Sequence, residues 1–200
     1  MQEHLDKIGL RDALNSPKVI LNLGGGNTKE KDVINLDIID LPQVDVVANL
    51  EEGLQFIPND SVDEIRAYSF LEHIEDLDLL MREMYRVLKP GGIVDIFVPH
   101  FSNPYYYSDF THKRFFGYYS FYYFSKNQEH LLRKVPSFYD TVNFGISSQK
   151  IIFRNAFAKY HIINILSQKL FNKTTKLQEI YEVFFSHLIP CNGLEVVLKK

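Results

Sequence analysis

Cysteine is nearly absent from this chain: Cys191 is the only one in 200 residues. That excludes a disulfide scaffold and a zinc module built on thiolates. A lone thiol fits a reducing compartment. Long apolar runs are missing as well. No stretch reaches the roughly 18 consecutive apolar residues of a membrane span. The opening Met1-Gln2-Glu3-His4-Leu5-Asp6 carries acids and no apolar centre, so no secretory signal is expected and the cytoplasm is the expected location. Basic residues do not dominate, 22 against 25 acids, for a net charge of −3. This argues against a nucleic-acid partner held on a broad basic face. Neither G-x-G-x-x-G nor a Walker lysine loop occurs.

What is present is the composition of a folded domain, 46% hydrophobic and 24% charged. At 23.4 kDa the expectation is one domain over residues 1–200. Residues 5–14 set Leu5, Ile8, Leu10 and Leu14 among charges, which predicts a short amphipathic helix. Val19–Leu23 reads as a buried strand ending at Gly24-Gly25-Gly26. Further strands are predicted at 33–37, 44–48 and 62–69. Apolar residues at 77, 80, 81, 84, 87 and 88 share one helical face, and Lys89-Pro90-Gly91-Gly92 stops that helix before a strand at 93–98. Strands alternating with helical patterns imply a parallel sheet with crossovers. Between Phe101 and Phe124 stand 13 of the chain's 28 aromatics, with no usable period, so this segment reads as a loop with short helices. A strand at 149–154, helical stretches at 156–171 and 175–188, and a strand at 194–198 complete the chain.

A strand running into glycines lets a ligand approach the backbone, because no Cβ intervenes. A bare tight turn is the competing reading. Asp37 ends the next strand, where a carboxylate can accept both hydroxyls of a ribose, or simply be a solvated acid. Asn49-Leu50 follows the third strand and suits an adenine edge and face, although Asn49 can equally cap the turn at Glu51-Glu52. Three such features after successive strands point to a nucleoside site.

Leu21-Asn22-Leu23-Gly24-Gly25-Gly26, Asp37, Ser69-Phe70-Leu71-Glu72-His73 and Arg86-Val87-Leu88-Lys89-Pro90-Gly91-Gly92 occur in this order. Over residues 18–100 the chain resembles class I S-adenosylmethionine-dependent methyltransferases of the small-molecule type, those with a methyltransferase domain 11-like unit. The resemblance implies an α/β, Rossmann-like fold of seven strands in the order 3-2-1-4-5-7-6, mostly parallel, the last strand antiparallel. It implies S-adenosyl-L-methionine as cofactor, with Gly24, Gly25 and Gly26 beside its methionine part and Asp37 on the ribose. Asn49 and Leu50 would contact the adenine, and Ser69 and Phe70 would border the sulfonium. Two departures stand out: Gly25 where cysteine is commoner, and Asn49 where aspartate is usual. Only 13 positions separate Gly24 from Asp37, leaving little room for the first crossover helix.

The acceptor is expected against residues 101–135. Some relatives carry an aspartate-x-threonine-histidine-x-arginine-phenylalanine run there, matched by Asp109, Thr111, His112, Arg114 and Phe115. Tyr106, Asp109 and Arg114 are the substrate-binding candidates, Arg114 as a fork for a phosphate or carboxylate or else as one arm of a structural salt bridge. Lys113 is a second cation for such a group or a solvent-facing one. For the tyrosines the competing role is core or cover. His112 is the first choice of general base, then His100, then His73; for each the alternative is a histidine satisfied by hydrogen bonds. His100, Asp109 and His112 match no standard ligand spacing, and no metal is expected. Residues 150–200 read as closing strands joined by a helical insert, whose Phe153, Phe157, Tyr160, Phe171, Tyr181, Phe184 and Phe185 cover the acceptor pocket, form a dimer surface or act as a buttress.

The expected reaction is methyl transfer to oxygen or nitrogen of a small, anionic, phosphorylated or nucleotide-linked acceptor, of the kind used in surface-polysaccharide or secondary-metabolite synthesis. The expected assembly is a monomer or homodimer. The alternatives are a catalytically silent cofactor-binding module of the same fold and a small nicotinamide-dependent reductase.

Overall fold

The apolar runs of the sequence become the strands of one sheet. The computed structural model describes residues 3–136, 142–153 and 161–200. Its elements are β1 (His4–Asp6), α1 (Leu10–Ala13), β2 (Ile20–Leu23), β3 (Ile34–Asp37), β4 (Val46–Ala48), β5 (Val62–Tyr68), α2 (Leu77–Val87), β6 (Leu88–Pro99), β7 (Gly145–Ile152), α3 (His161–Phe171), α4 (Thr175–Ile180) and β8 (Gly193–Lys199). The strand order is β1-β4-β3-β2-β5-β6-β8-β7. From β4 to β7 this is the expected seven-strand order, parallel throughout except for β8, which runs antiparallel between β6 and β7.

The eighth strand corrects the reading of residues 5–14 as a helix. Leu5 pairs with Val47 in an antiparallel ladder, and only Leu10–Ala13 is helical. The Asp6 carboxylate accepts from the N–H of Ile8 (3.1 Å) and of Leu10 (2.7 Å), and Gly9 turns the chain at φ 73°. A three-residue edge strand is thereby covered, which satisfies backbone groups that would otherwise face water.

α2 forms for the reasons visible in its sequence. Asp76 caps it, accepting from the Leu79 N–H at 3.0 Å, and Leu77, Leu80, Met81, Met84 and Val87 are buried against the sheet. Met81 and Met84 are core. The helix stops at Val87, and β6 begins directly at Leu88 rather than at the expected 93, with Gly91 inside it at φ 83° where the ladder to β5 shifts register.

Among the described residues no helix joins β2 to β3 or β3 to β4, as the short spacing implied. A polar network holds the β2–β3 loop instead. Asn22 donates to Asn35 Oδ1 (3.0 Å), Asn35 donates to the carbonyls of Thr28 and Gln43, and its own N–H donates to Asp45 (2.9 Å). Lys29 closes the circuit on Asp45 at 2.6 Å. Without those helices one sheet face carries polar side chains. Ile65, Ala67, Val94, Ile96 and Val98 are buried, while the alternate residues Arg66, Tyr68 and Asp95 are not. Parallel sheets are ordinarily covered on both faces.

The aromatic segment is mainly core. Phe116, Tyr118, Phe121 and Tyr122 are buried, whereas Tyr107, Phe110 and Phe115 are exposed. The C-terminal insert grips this segment. Tyr118 donates to Gln178 (3.1 Å), Tyr119 to Glu179 (2.9 Å), and the Tyr118 N–H to Glu182 (2.8 Å). Phe153, Phe171 and Tyr181 stack together inside the insert, and Phe184 is exposed. Residues 181–185 wind as a π-helical turn after α4. Arg154, Phe157 and Tyr160 lie outside the described residues.

Candidate active site

The carboxyl ends of β2 and β3 are bound together by the glycine turn. Gly24 and Gly26 adopt φ +66° and +51°, conformations that side chains disfavour. The N–H groups of Gly24 and Gly25 both donate to the Leu36 carbonyl, at 2.9 and 3.2 Å. Asp37 follows directly: Oδ2 accepts from the Gly26 N–H (2.9 Å) and Oδ1 from the Ile39 N–H (3.0 Å). Each carboxylate oxygen retains a further lone pair. A Cβ on Gly24 would come within 2.3 Å of the Phe70 ring, so the turn after β5 rests on the glycine turn. A Cβ on Gly25 would lie 2.9 Å from the Asn35 side chain, which is why glycine stands there in this chain. At Gly26 a Cβ would meet nothing within 4 Å, so the space beside the turn is open.

Beyond Asp37, Ile38 and Ile39 are 63% and 59% exposed. Ile38 and Asn49 line an open groove of about 910 Å³ with His4, Leu5, Val47 and Glu52. A depression of about 900 Å³ lies at the opposite ends of β2 and β3, beside Lys18, Val33 and Asp45. Ligands of open α/β sheets sit at the carboxyl ends, which favours the first. Leu50 is buried in the core, and Asn49 caps the turn after β4, accepting from the Glu51 N–H (3.2 Å) and donating to Glu52 (3.0 Å). The exposed apolar residues lining this groove are thus Ile38 and Leu5, which the strand pattern alone does not single out.

Ser69 follows β5 at φ 50°, a sparsely populated conformation for a residue with a side chain. Leu71–His73 then form a single 3₁₀ turn. Glu72 is 1% exposed, and burial pushes its pKa up to about 7, with the nearby Asp109 charge adding to the shift. Its Oε2 is a buried oxygen without a hydrogen-bond partner. In the sequence Glu72 shows only as part of the Ser69–His73 motif, and its burial in the folded chain is what sets it apart.

The aromatic segment returns to this turn. Lys113 N–H donates to the Glu72 carbonyl at 2.8 Å. His73 Nδ1 lies 3.0 Å from Thr111 Oγ1, which donates to Asp109 at 2.6 Å. Because the threonine proton is engaged by the carboxylate, His73 Nδ1 must donate, leaving Nε2 its lone pair. His112 Nδ1 faces the Tyr106 carbonyl at 3.0 Å, an acceptor only, so its Nε2 also keeps a lone pair. That Nε2 lies 3.6 Å from Asp109, and the two imidazoles meet edge to face at 4.9 Å. Tyr106 packs on His112 and donates to the Arg114 carbonyl.

Glu72, His73, Tyr106, Asp109 and His112 therefore converge. Two predicted residues do not join them. His100 is fully buried elsewhere, 2.8 Å from Ser102 Oγ and 2.9 Å from Glu182, and has no access to a ligand in this arrangement. Arg114 neither reaches Asp109 nor offers a free fork: it donates through Nε and Nη2 to the carbonyls of Ile74 and Glu75. Lys113 is bridged by Glu51 (3.1 Å) and Glu75 (3.4 Å).

Residues 26–96 match the family described as a methyltransferase domain. No curated protein matches the sequence. Among solved structures, the chain is similar to an S-adenosylmethionine-dependent methyltransferase from Archaeoglobus fulgidus at 14% identity and a TM-score of 0.58, over 96% of this chain and 90% of that one. A candidate methyltransferase from Bacillus halodurans shows 15% identity and a TM-score of 0.53, with 95% of each chain covered. A phosphoethanolamine N-methyltransferase from Haemonchus contortus, bound to phosphomonomethylethanolamine and S-adenosylhomocysteine, shows 14% identity and a TM-score of 0.50, over 91% of this chain and 48% of that longer one. These likenesses establish the fold, and the family match falls on the strands that carry Gly26, Asp37 and the Glu72–His73 turn. The chain thus has the fold of class I S-adenosylmethionine-dependent methyltransferases, and its residues 26–96 match a methyltransferase-domain family.

Proposed function

We propose that the chain is an S-adenosylmethionine-dependent methyltransferase that acts on an oxygen or nitrogen of a small acceptor seated at the Glu72–His73 turn, with His112 receiving the proton. S-adenosylmethionine, when bound, supplies an already activated methyl group. The residues of the chain bind, orient and deprotonate. Gly24–Gly26 leave their backbone approachable for the methionine part, and Asp37 keeps one lone pair on each oxygen for the ribose hydroxyls. Ile38 offers apolar surface to the adenine beside Asn49, while Leu50 supports that turn from the core. Ser69 and Phe70 stand between these groups and the acceptor end.

The observation that carries the reading is the convergence of two histidines and two carboxylates, from distant segments, on the turn that touches Gly24. His112 holds its ring by the Tyr106 carbonyl and presents a basic Nε2 beside Asp109, which stabilises the imidazolium formed on proton uptake. His73, tied to Thr111, is the second base. Tyr106, packed between His112 and Phe115, would border the acceptor on this side. An anionic group on the acceptor would meet Lys113, in competition with Glu51 and Glu75. Building blocks of surface polysaccharides or secondary metabolites fit this size and polarity.

Isothermal titration with S-adenosylhomocysteine tests the cofactor assignments. Asp37→Ala should weaken binding at least tenfold, and unchanged affinity would remove Asp37 from the site. Turnover of an acceptor panel, followed by release of S-adenosylhomocysteine, should fall by about 10²–10⁴ in His112→Ala, the range of a lost general base.

A further inference from the structure

The spacing of histidines and acids along the chain gives no reason to expect a metal. The folded chain nevertheless brings one ligand atom each from Glu72, His73 and His112 within 4.8 Å of one another. We propose that these three residues bind one first-row divalent transition-metal ion, leaving coordination positions open on the acceptor side.

Three independent features support this. The first is the carboxylate: Glu72 is 1% exposed, yet its Oε2 has no hydrogen-bond partner. An unpartnered buried oxygen is costly unless something outside the chain satisfies it. The second is the orientation of the imidazoles. His73 donates from Nδ1 to Thr111, and His112 donates from Nδ1 to the Tyr106 carbonyl. Both rings thereby keep Nε2 as the electron-pair donor. Histidines that ligate metals nearly always donate their other N–H to an oxygen in this way. The third is the support behind them, since Thr111 is itself fixed by Asp109 at 2.6 Å.

The ligand set selects the ion. Two imidazoles and a carboxylate suit zinc, iron, cobalt or manganese, whereas magnesium and calcium prefer all-oxygen shells. Three protein ligands leave room for a small molecule, as catalytic sites do. With metal–ligand bonds of about 2.1 Å, the ligand atoms must draw together by about an ångström, a movement within reach of side-chain rotation. Resting on the reading of this turn as the acceptor end, the ion would hold an acceptor oxygen and lower its pKa. In the metal-loaded protein the proton then passes to solvent water, and His112, its lone pair on the ion, serves as a ligand rather than as the base.

The test uses tag-free, full-length protein stripped with chelator and titrated with Co²⁺ and with Zn²⁺. One ion per chain, with visible d–d absorption for Co²⁺, is expected. His112→Ala and Glu72→Gln should each weaken binding at least tenfold, and Thr111→Val should weaken it less. His187→Gln, an exposed histidine outside the cluster, should leave it unchanged. If Glu72→Gln loses its native circular dichroism, His112→Ala carries the test alone. Absence of stoichiometric Co²⁺ in the wild type, or affinity unchanged by His112→Ala, overturns the site. S-adenosylhomocysteine titrated in parallel separates the two readings: cofactor bound without metal overturns only the metal site, and metal bound without cofactor overturns the active-site reading.

Discussion

Raising the pH should loosen the C-terminal insert from the end of β6, because a single buried imidazole joins them. His100 is fully buried, and its Nε2 lies 2.9 Å from Glu182, in the π-helical turn after α4. Desolvation pulls its pKa down, but hydrogen bonds to Cys191 and Glu182, together with their charge, outweigh burial and raise it from 6.5 to about 9. A folded pKa above the unfolded one means that the native state holds the proton more tightly. The resulting stability is complete below the unfolded value near 6.5 and is lost as the pH climbs through about 9. At about 1.4 kcal/mol per pKa unit, this difference is worth about 3 kcal/mol. The assay is urea unfolding of wild type and His100→Gln between pH 6 and pH 10. At pH 6 the variant should be less stable by about 3 kcal/mol or more, since it leaves Glu182 buried beside a neutral partner. The gap should then narrow by about 3 kcal/mol towards pH 10, with m unchanged. A gap that stays constant across the range would show that His100 is neutral in the native protein and would refute the argument.

Other substitutions probe the remaining parts. Gly24→Ala combines a left-handed backbone with a Cβ 2.3 Å from Phe70, so it should cost about 1–2 kcal/mol or more and weaken S-adenosylhomocysteine binding, both measurable by thermal shift and titration. Phe121→Ala, at a fully buried site stacked on Phe116, should cost about 3–5 kcal/mol in urea unfolding. Arg114→Ala removes the donors to the carbonyls of Ile74 and Glu75, so it should raise the acceptor KM through a displaced loop; an anion-specific loss of affinity with the loop intact would return Arg114 to direct substrate binding.

Much of the fold could be read from the chain because its signals are local. The strand runs, the 77–87 helical face, the proline–glycine stop and the glycine turn each depend on residues close in sequence, and their positions held within a few residues. The site was partly legible for the same reason. Gly24, Asp37, Ser69 and His73 sit at strand ends, where topology places ligands. Partners across the chain were not legible. His100 looks as polar as His112, and only the return of Glu182 from 82 residues away shows that it is buried and paired. Arg114 looks like an anion fork until Ile74 and Glu75 present their carbonyls to it.

The same contrast explains the one strand that was missed. Leu5 and Ile8 stand at a helical spacing, but both remain exposed, at 52% and 44%. An amphipathic helix forms when a surface is available to bury its apolar stripe. Here the loops between β2, β3 and β4 are too short to build such a surface, and the polar network of Asn35 and Asp45 occupies the place of the missing crossover helix. What the short loops do leave is the unpaired edge of β4, and the N-terminal segment is stabilised there by backbone pairing rather than side-chain burial. The spacing between Gly24 and Asp37 thus decides three things together: the absent helix, the glycine required at 25 and the strand added at the edge.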